Sequence, residues 1–139
     1  MKKSERLHHR SLVEGLFRHG KSFYEYPLRV IWRQMTPEQL SGNFRNQIPE
    51  GIGKLQMMVG VPKKKRKRAV DRVLLRRRLR EAYRLNNSEL KEIVGENSNI
   101  GTLSVAFIYQ HKENMPYSVI EEKMINALGK LGRSLANDN

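Results

Sequence analysis

The chain has 139 residues, of which 38% are hydrophobic, enough for one compact domain with a modest core and too few for two. Its net charge is +13, and no apolar run reaches the roughly 18 residues that span a bilayer. The absence of cysteine excludes disulfides and thiolate nucleophiles, and the polar, basic start does not resemble a secretory signal. We therefore expect one cytoplasmic domain over residues 1–139, without a membrane partner.

The N-terminal part of the chain predicts a helix. Apolar residues recur at helical spacing between residues 4 and 19. Ser11 and Glu14 have the spacing of a capping box, so the helix proper is expected to begin at Ser11. Gly20 is a natural residue to end it.

Two strands are predicted to follow. Aromatic and β-branched residues indicate a strand from about Leu28 onward, with Pro27 at its start. Residues 55–61 form a second apolar run of strand length. Between the two, residues 34–53 are rich in proline, glycine and asparagine, which predicts a loop insertion or a hairpin tip, with room for a short helical turn after Pro37.

A dense basic stretch runs from Lys63 to Arg84. Twelve of the chain's 27 basic residues fall within these 22 positions, together with only two acids, Asp71 and Glu81. Charge of this density repels itself and is usually kept for a polyanionic partner. Asp71 is predicted to cap a helix over residues 72–85, in which an apolar stripe docks and arginines repeat beside it.

Other interpretations of this stretch remain. Residues 62–68 have the composition of a nuclear localisation signal, but their position between a strand and a capped helix favours a structured phosphate-binding loop. A merely solvated helix face would mix charges of both signs. Arginine predominates on this helix, and its planar fork binds phosphate and stacks on bases, which favours RNA over DNA.

The last third of the chain predicts a strand and a long helix. Residues 102–110 are apolar on both faces, as in a central strand, and an apolar stripe follows Pro116 at helical spacing. Residues 88–94 add a further helical turn, and residues 134–139 are expected to fray. The fold class is therefore α/β (α+β), a two-layer sandwich of helices on a small sheet in the order α-β-β-(β)-α-β-α.

No catalytic residue and no metal site are predicted in the protein. The four histidines, His8, His9, His19 and His111, lack metal-binding spacing. Aromatic residues on the first helix and strand alternate with basic ones. They are either core residues or a platform on which unpaired bases stack, and the sequence leaves both readings open.

Several motifs resemble the protein family of bacterial ribonuclease P. Phe17, Gly20 and Ser22 follow an opening F-x-x-G-x-S pattern. Residues 60–65 (GVPKKK), 68–72 (RAVDR) and 76–83 (RRRLREAY) are similar to the signature basic segment of that family. The resemblance covers most of the chain, including the closing strand and helix.

The signature is broken at one point. Val73 and Leu74 stand where the family has Asn and Arg, and Arg66 stands where an apolar residue is more usual. Loss of one arginine–phosphate contact lowers the salt slope of binding by about one unit. Three explanations are open: a weakened RNA contact, replacement by Arg78, or packing of the two apolar side chains against another part of the protein.

The resemblance implies a mixed sheet with an uncommon left-handed βαβ crossover, and a function in removing the 5′ leader from precursor tRNA. It implies that the catalytic RNA subunit holds the magnesium ions, and that the isolated protein is an inactive monomer. The partners are that RNA and the leader, not DNA. The RNA-binding residues implied are Lys63, Lys64, Lys65, Arg68, Arg72, Arg76, Arg77 and Arg80. The leader cleft implied is formed by Val13, Phe17, Arg29 and Ile31.

Two other functions remain open beside this one. A basic ribosomal or RNA-assembly protein would bind RNA without a role in tRNA processing. A nuclear basic protein would keep residues 62–68 accessible and mobile.

Overall fold

The structure is a computed structural model that describes residues 2–137. Four strands form one mixed sheet in the spatial order β1-β2-β4-β3. The strands are β1 (Lys21–Glu25), β2 (Leu28–Met35), β3 (Leu55–Gly60) and β4 (Thr102–Tyr109). Strand β2 pairs antiparallel with β1 and β4, whereas β3 pairs parallel with β4. The predicted α+β class and central position of the 102–110 strand are confirmed.

Helices cover the two faces of this sheet unequally. They are α1 (Arg10–His19), α2 (Pro37–Asn43), α3 (Ala69–Asn86), α4 (Ser88–Glu96) and α5 (Tyr117–Asn137). Side chains of α3, α4 and α5 form the large core on one face. A smaller core on the other face lies under α1 and α2. None of the helices in residues 2–137 is long and apolar enough to cross a membrane.

Alternation along the strands sends neighbouring side chains into different cores. In β2, Val30 and Trp32 enter the large core, and Ile31 enters the small one. In β4, Phe107 enters the large core and Ala106 the small one, so this strand is buried on both faces. This double burial explains the continuous apolar run that marked β4 in the sequence.

Strand β1 was missed by the sequence pattern. It forms a tight hairpin with β2, in which Glu25 pairs with Leu28 across the Tyr26–Pro27 turn. Most of its side chains are exposed or half-buried because it lies at the sheet edge. An edge strand buries little, so its hydrophobic alternation is weak.

Helix α1 begins one residue earlier than expected. Its N-cap is His9, and Ser11 lies within the first turn, so the predicted Ser11–Glu14 capping box is wrong. The Ser11 hydroxyl instead accepts a hydrogen bond from Asn43 at 3.1 Å, on α2. Gly20 does end the helix as its C-cap, and glycine suits this position because a Cβ there would overlap the Leu16 carbonyl.

The segment 34–53 is not a hairpin tip, since β4 lies between β2 and β3 in the sheet. Nor is all of it loop: its first part is α2, with Pro37 in the first turn. Thr36 caps this helix by accepting from the Gln39 amide at 3.1 Å, and the Gln39 side chain accepts from the Thr36 amide at 2.9 Å. A capping box of this kind stabilises a helix too short to persist alone.

The C-terminal helix is longer than predicted. It continues to Asn137, so the expected fraying from Ser134 is wrong as far as that residue. Leu135 is buried in the large core and fixes the last turns. Residues 138 and 139 lie outside the described residues. The parallel strands β3 and β4 are joined through α3 and α4; the handedness of that crossover stays a prediction.

Candidate nucleic-acid interface

The basic loop, residues 62–68, leaves the end of β3 and leads into α3. The amides of Lys65 and Arg66 donate to the Pro62 carbonyl at 3.0 and 3.1 Å, which folds the loop into a turn. Most basic side chains of the loop point outward, because charge repulsion and hydration keep them in solvent. Exposed side chains in the loop are those of Lys63, Lys64, Lys67 and Arg68.

One arginine of the loop is turned inward. Arg66 donates to the Asp71 carboxylate at 2.9 Å and also to the Lys112 carbonyl. The Asn114 amide donates to the other Asp71 oxygen at 2.9 Å. This Asp71 anchor, formed by Arg66, Asp71 and Asn114, attaches the basic loop to the turn after β4. It gives a structural role to the arginine that departs from the family pattern.

The structure corrects the predicted role of Asp71. Helix α3 begins at Ala69 with Arg68 as its N-cap, so Asp71 lies inside the first turn. The hydrogen bond from Asn114 lowers the pKa of Asp71 most, and the positive charges of Arg66 and Arg68 lower it further. Because a carboxylate in a first helical turn also interacts favourably with the helix dipole, the ionised form is favoured.

Two arginines of α3 are engaged by backbone carbonyls. Arg72 donates to the carbonyls of Arg66 and Lys67 at 2.9 and 2.7 Å, which holds the basic loop against the helix. Arg78 donates to the Met115 carbonyl at 2.6 Å, next to the start of α5. The geometry therefore disfavours replacement of the missing family arginine by Arg78.

A cluster of cations lies where α3 crosses the edge strand β3. Arg77 and Arg80 are exposed and Arg76 is half-buried. Partial burial lowers the pKa of Arg80, and the neighbouring charges of Arg76 and Arg6 add to this effect. Crowded cations of this kind become more stable when an anion binds between them.

Arg6 was not among the predicted site residues. Its segment runs beside β3 in a parallel bridge to Met57, and the Leu7 amide donates to the Met57 carbonyl at 2.9 Å. This pairing carries Arg6 to the arginines of α3. The spacing of some 50 residues between the two segments left no local pattern that predicted it.

Val73 and Leu74 do not pack into either core. Val73 is 47% exposed and Leu74 is half-buried. With Val70, which is 62% exposed, they form an apolar strip along the first turns of α3, next to Arg77. Neither core therefore accounts for the altered signature, and the packing explanation stays a prediction.

The second part of the interface is a cleft beside α1. Cross-strand pairing places Tyr24, Arg29, Ile108 and Gly60 in one row across the sheet. These residues lie on the face that carries α1, but the small core under that helix includes only Ile108 among them. Gly60 ends β3 and leads directly to the basic loop, so the cleft and the loop adjoin.

The four predicted cleft residues differ in accessibility. Phe17 is 50% exposed, Val13 and Arg29 are half-buried, and Ile31 is only 4% exposed in the small core. The Nε atom of Arg29 is buried and has no hydrogen-bond partner among the described residues. Phe17 and Tyr24 offer exposed aromatic rings, whereas Ile31 is buried in the small core and not available to the leader.

Within residues 2–137, no group of three or more histidine or acidic side chains is arranged to hold a metal ion. Asp71 is already engaged by Arg66 and Asn114. The arrangement can bind and orient a polyanion, with an aromatic surface for unpaired bases.

Comparison with known proteins gives a consistent result. The family model for Ribonuclease P matches residues 1–132. The chain is 33% identical over 128 residues to the Ribonuclease P protein component of Porphyromonas gingivalis strain W83, covering 92% of this chain and 83% of that protein. The same protein from P. gingivalis strain ATCC 33277 gives equal identity and coverage.

Solved structures share the fold. The RNase P protein of Staphylococcus aureus aligns with a TM-score of 0.61 and 17% identity, covering 93% of this chain and 95% of that one. The RNase P protein from Thermotoga maritima aligns with a TM-score of 0.60 and 22% identity, covering 91% and 96%.

Proposed function

Because this chain belongs to the ribonuclease P protein family, we propose that its basic loop and α3 bind the RNA subunit while its cleft holds the precursor tRNA leader. Membership makes the chain the protein subunit of the ribonuclease P complex, a partner of its RNA, and a participant in 5′ leader processing of tRNA. The proposal concerns which surface binds the RNA subunit, which surface holds the leader, and which residues make these contacts.

The observation that carries the proposal is the continuity of charge from the cleft to α3. Arg29 in the cleft row leads through Gly60 to the exposed lysines of the basic loop, and from there to Arg76, Arg77 and Arg80. A polyanion that follows this path meets cations along its length. Counterion release from each neutralised phosphate favours binding, whatever the RNA sequence.

The contributions of the predicted residues differ. Lys63, Lys64, Arg68, Arg77 and Arg80 are exposed and available to phosphates. Arg72 acts mainly by holding the loop, because its guanidinium already donates to two carbonyls. Lys65 and Arg76 are half-buried, so they contact RNA only at one side.

The cleft binds the leader in a way that depends little on its nucleotide sequence. Exposed aromatic rings of Phe17 and Tyr24 stack on bases, each worth about 1–3 kcal/mol. Arg29 is half-buried in the cleft row and supplies the cation that attracts a phosphate of the leader. The protein thereby fixes the leader next to the RNA that it also binds.

We assign the cleavage chemistry and the magnesium ions to the RNA subunit, as membership of the family leads us to expect. The isolated protein, a monomer, is inactive. Its cations lessen phosphate repulsion between RNA and substrate, so less magnesium is required for the complex to form.

Reconstitution with the cognate RNA tests this function. Precursor tRNA is incubated with the RNA alone, the protein alone, or both, over a series of magnesium concentrations. We expect cleavage at lower magnesium when both are present, and none with the protein alone. Unchanged cleavage, together with co-sedimentation of the protein with ribosomal particles, would favour the ribosomal alternative.

A further inference from the structure

A second basic cavity lies on the opposite side of α1 from the cleft. Its volume is about 490 Å³. It occupies the place where the C-terminal end of α1, the edge of the sheet and α2 meet. None of its described lining residues is an acid. The lining residues are His19, Lys21, Trp32, Arg33, Gln34 and Gln39.

The sheet edge forms one wall of this cavity. Strand β1 begins at Lys21, opposite Trp32, so β2 extends beyond it from Arg33 onward without β1 at its side. The Lys21 ammonium lies over the Trp32 ring, 5.2 Å from its centroid. Gln39 reaches the cavity from α2, and its side-chain oxygen accepts from the Thr36 amide. The wall therefore presents basic and amide side chains.

Arg33 is the residue that indicates a ligand. It is half-buried, and no hydrogen bond or ion pair joins its guanidinium to any residue in the described part of the chain. The group lies against Gly15 of α1, where even a Cβ atom would overlap it. A half-buried cation without a nearby counter-charge is stabilised by an anion that binds beside it.

Another cavity provides a contrast. It has about 830 Å³ and lies between the C-terminal end of α3, α4 and α5. Its lining includes Glu25 and Glu89 as well as Lys130 and Arg133, so charges of both signs occur there. Among the described residues, the cavity beside Arg33 is lined by basic side chains, two amides and Trp32 without an acid, a composition that favours an anion.

We propose that the cavity beside Arg33 binds a phosphodiester of RNA, as a second site separate from the cleft. Arg29 and Arg33 lie on the same face of β2, four residues and about 13 Å apart. Helix α1 passes between them, above Ile31. An RNA strand that rounds the C-terminal end of α1 contacts both arginines. The inference rests on the proposed function, and the phosphodiester belongs either to the leader or to the RNA subunit.

Two binding measurements distinguish these sources. The first compares precursor tRNAs with short and long leaders, bound to the reconstituted complex. The second measures binding of the protein to the RNA subunit alone. In the arm that contains the true ligand, Arg33→Gln is expected to weaken binding about tenfold and to lower the salt slope by about 0.7 to 0.9 unit. Arg33→Lys is expected to restore most of that slope.

Gly15→Ala gives an independent perturbation, because its methyl group displaces the guanidinium while leaving the charge in place. It should reduce binding in the same arm. Arg133→Gln is the matched control, since it removes an exposed arginine from the cavity of mixed charge. Thermal unfolding of each variant confirms that the fold is intact.

The inference is overturned if Arg33→Gln and Gly15→Ala bind both RNAs as tightly as Arg133→Gln does. That result would leave the proposed function standing, because Phe17 and the α3 arginines act elsewhere. Wild-type protein that bound neither RNA would overturn the proposed function, and this inference with it.

Discussion

The two faces of the sheet differ in how completely helices cover them. On one face, α3, α4 and α5 enclose a core in which Phe107, Leu79 and Tyr83 are almost fully buried. On the other, α1 covers the middle of the sheet and leaves Tyr24 61% exposed and Arg29 half-buried at its side. The helices on the first face therefore contribute most of the buried core that stabilises the fold. The second face leaves the side chains that can bind RNA accessible.

The difference has a physical cause in the length and apolar content of the helices. Helices α3 and α5 have 18 and 21 residues, and α1 has 10. A single helix is only about 10 Å wide and covers the rows directly beneath it, so cross-strand rows on either side of α1 remain uncovered. Both candidate RNA sites, the cleft and the cavity beside Arg33, lie in those rows.

The strongest test of the comparison removes a side chain from the covered face. Leu79→Ala is expected to lower the free energy of unfolding by about 2–5 kcal/mol, because Leu79 is fully buried and leaves a cavity. Urea denaturation measures this. Leu85→Ala, on the same helix but 54% exposed, should stay within about 0.5 kcal/mol of wild type. Equal losses in the two variants would contradict the division between the faces.

A second test removes an aromatic ring from the open face. Phe17→Ala should weaken leader binding by about 1–3 kcal/mol per stacked base. It should change unfolding little, since half of the ring is exposed. Fluorescence titration of a labelled leader with the reconstituted complex measures the affinity. Ile125→Ala, a 48% exposed residue on α5, is the control. A large loss of stability with unchanged leader affinity would show that Phe17 is a core residue.

A third test restores the family signature on α3. Leu74→Arg adds a cation next to Arg77 and should steepen the salt dependence of RNA binding by about one unit. Leu85→Arg adds the same charge near the C-terminal end of the helix and serves as the control. Filter binding over a series of salt concentrations gives both slopes. Equal slopes would mean that the strip of Val70, Val73 and Leu74 does not face RNA.

The smallest expected effect concerns the Asp71 anchor. The folded-state pKa of Asp71 is lowered, so the anchor contributes stability above the unfolded pKa of about 4 and loses it as pH falls through the folded value. Asp71→Asn should therefore reduce the melting temperature near neutral pH, and the difference from wild type should shrink below about pH 4. Thermal melts across this range measure it. A difference that is constant with pH would show that the Asp71 charge does not hold the loop.

Much of the fold followed from local pattern. The apolar periodicity of α3 and α5, the continuous apolar run of β4 and the density of charge in residues 62–68 are all properties of neighbouring residues. Each could be recognised without knowing what lies beside it, because helix and strand periods are set by the backbone. The exposed lysines of the basic loop were identified in the same way.

Other features depended on residues distant in the chain. Arg6 reaches α3 through pairing with Met57, Arg66 turns inward toward Lys112, and Ile31 is buried by a helix that precedes it. The hydrophobic periodicity of the sequence does not predict which strand lies at a sheet edge or which carbonyl accepts a hydrogen bond from an arginine. These contacts form only when the sheet order brings separate segments together.

By itself, therefore, the sequence determined the family, the secondary structure of the long elements and the presence of a basic surface. Tertiary structure decided which cations are free to bind RNA and which hold the loop. The physical reason is that charge is a property of a residue, whereas its availability depends on the acceptors and apolar groups that the fold places around it. Arg33 and Arg66 are both arginines, and only their surroundings separate a candidate ligand site from an anchor.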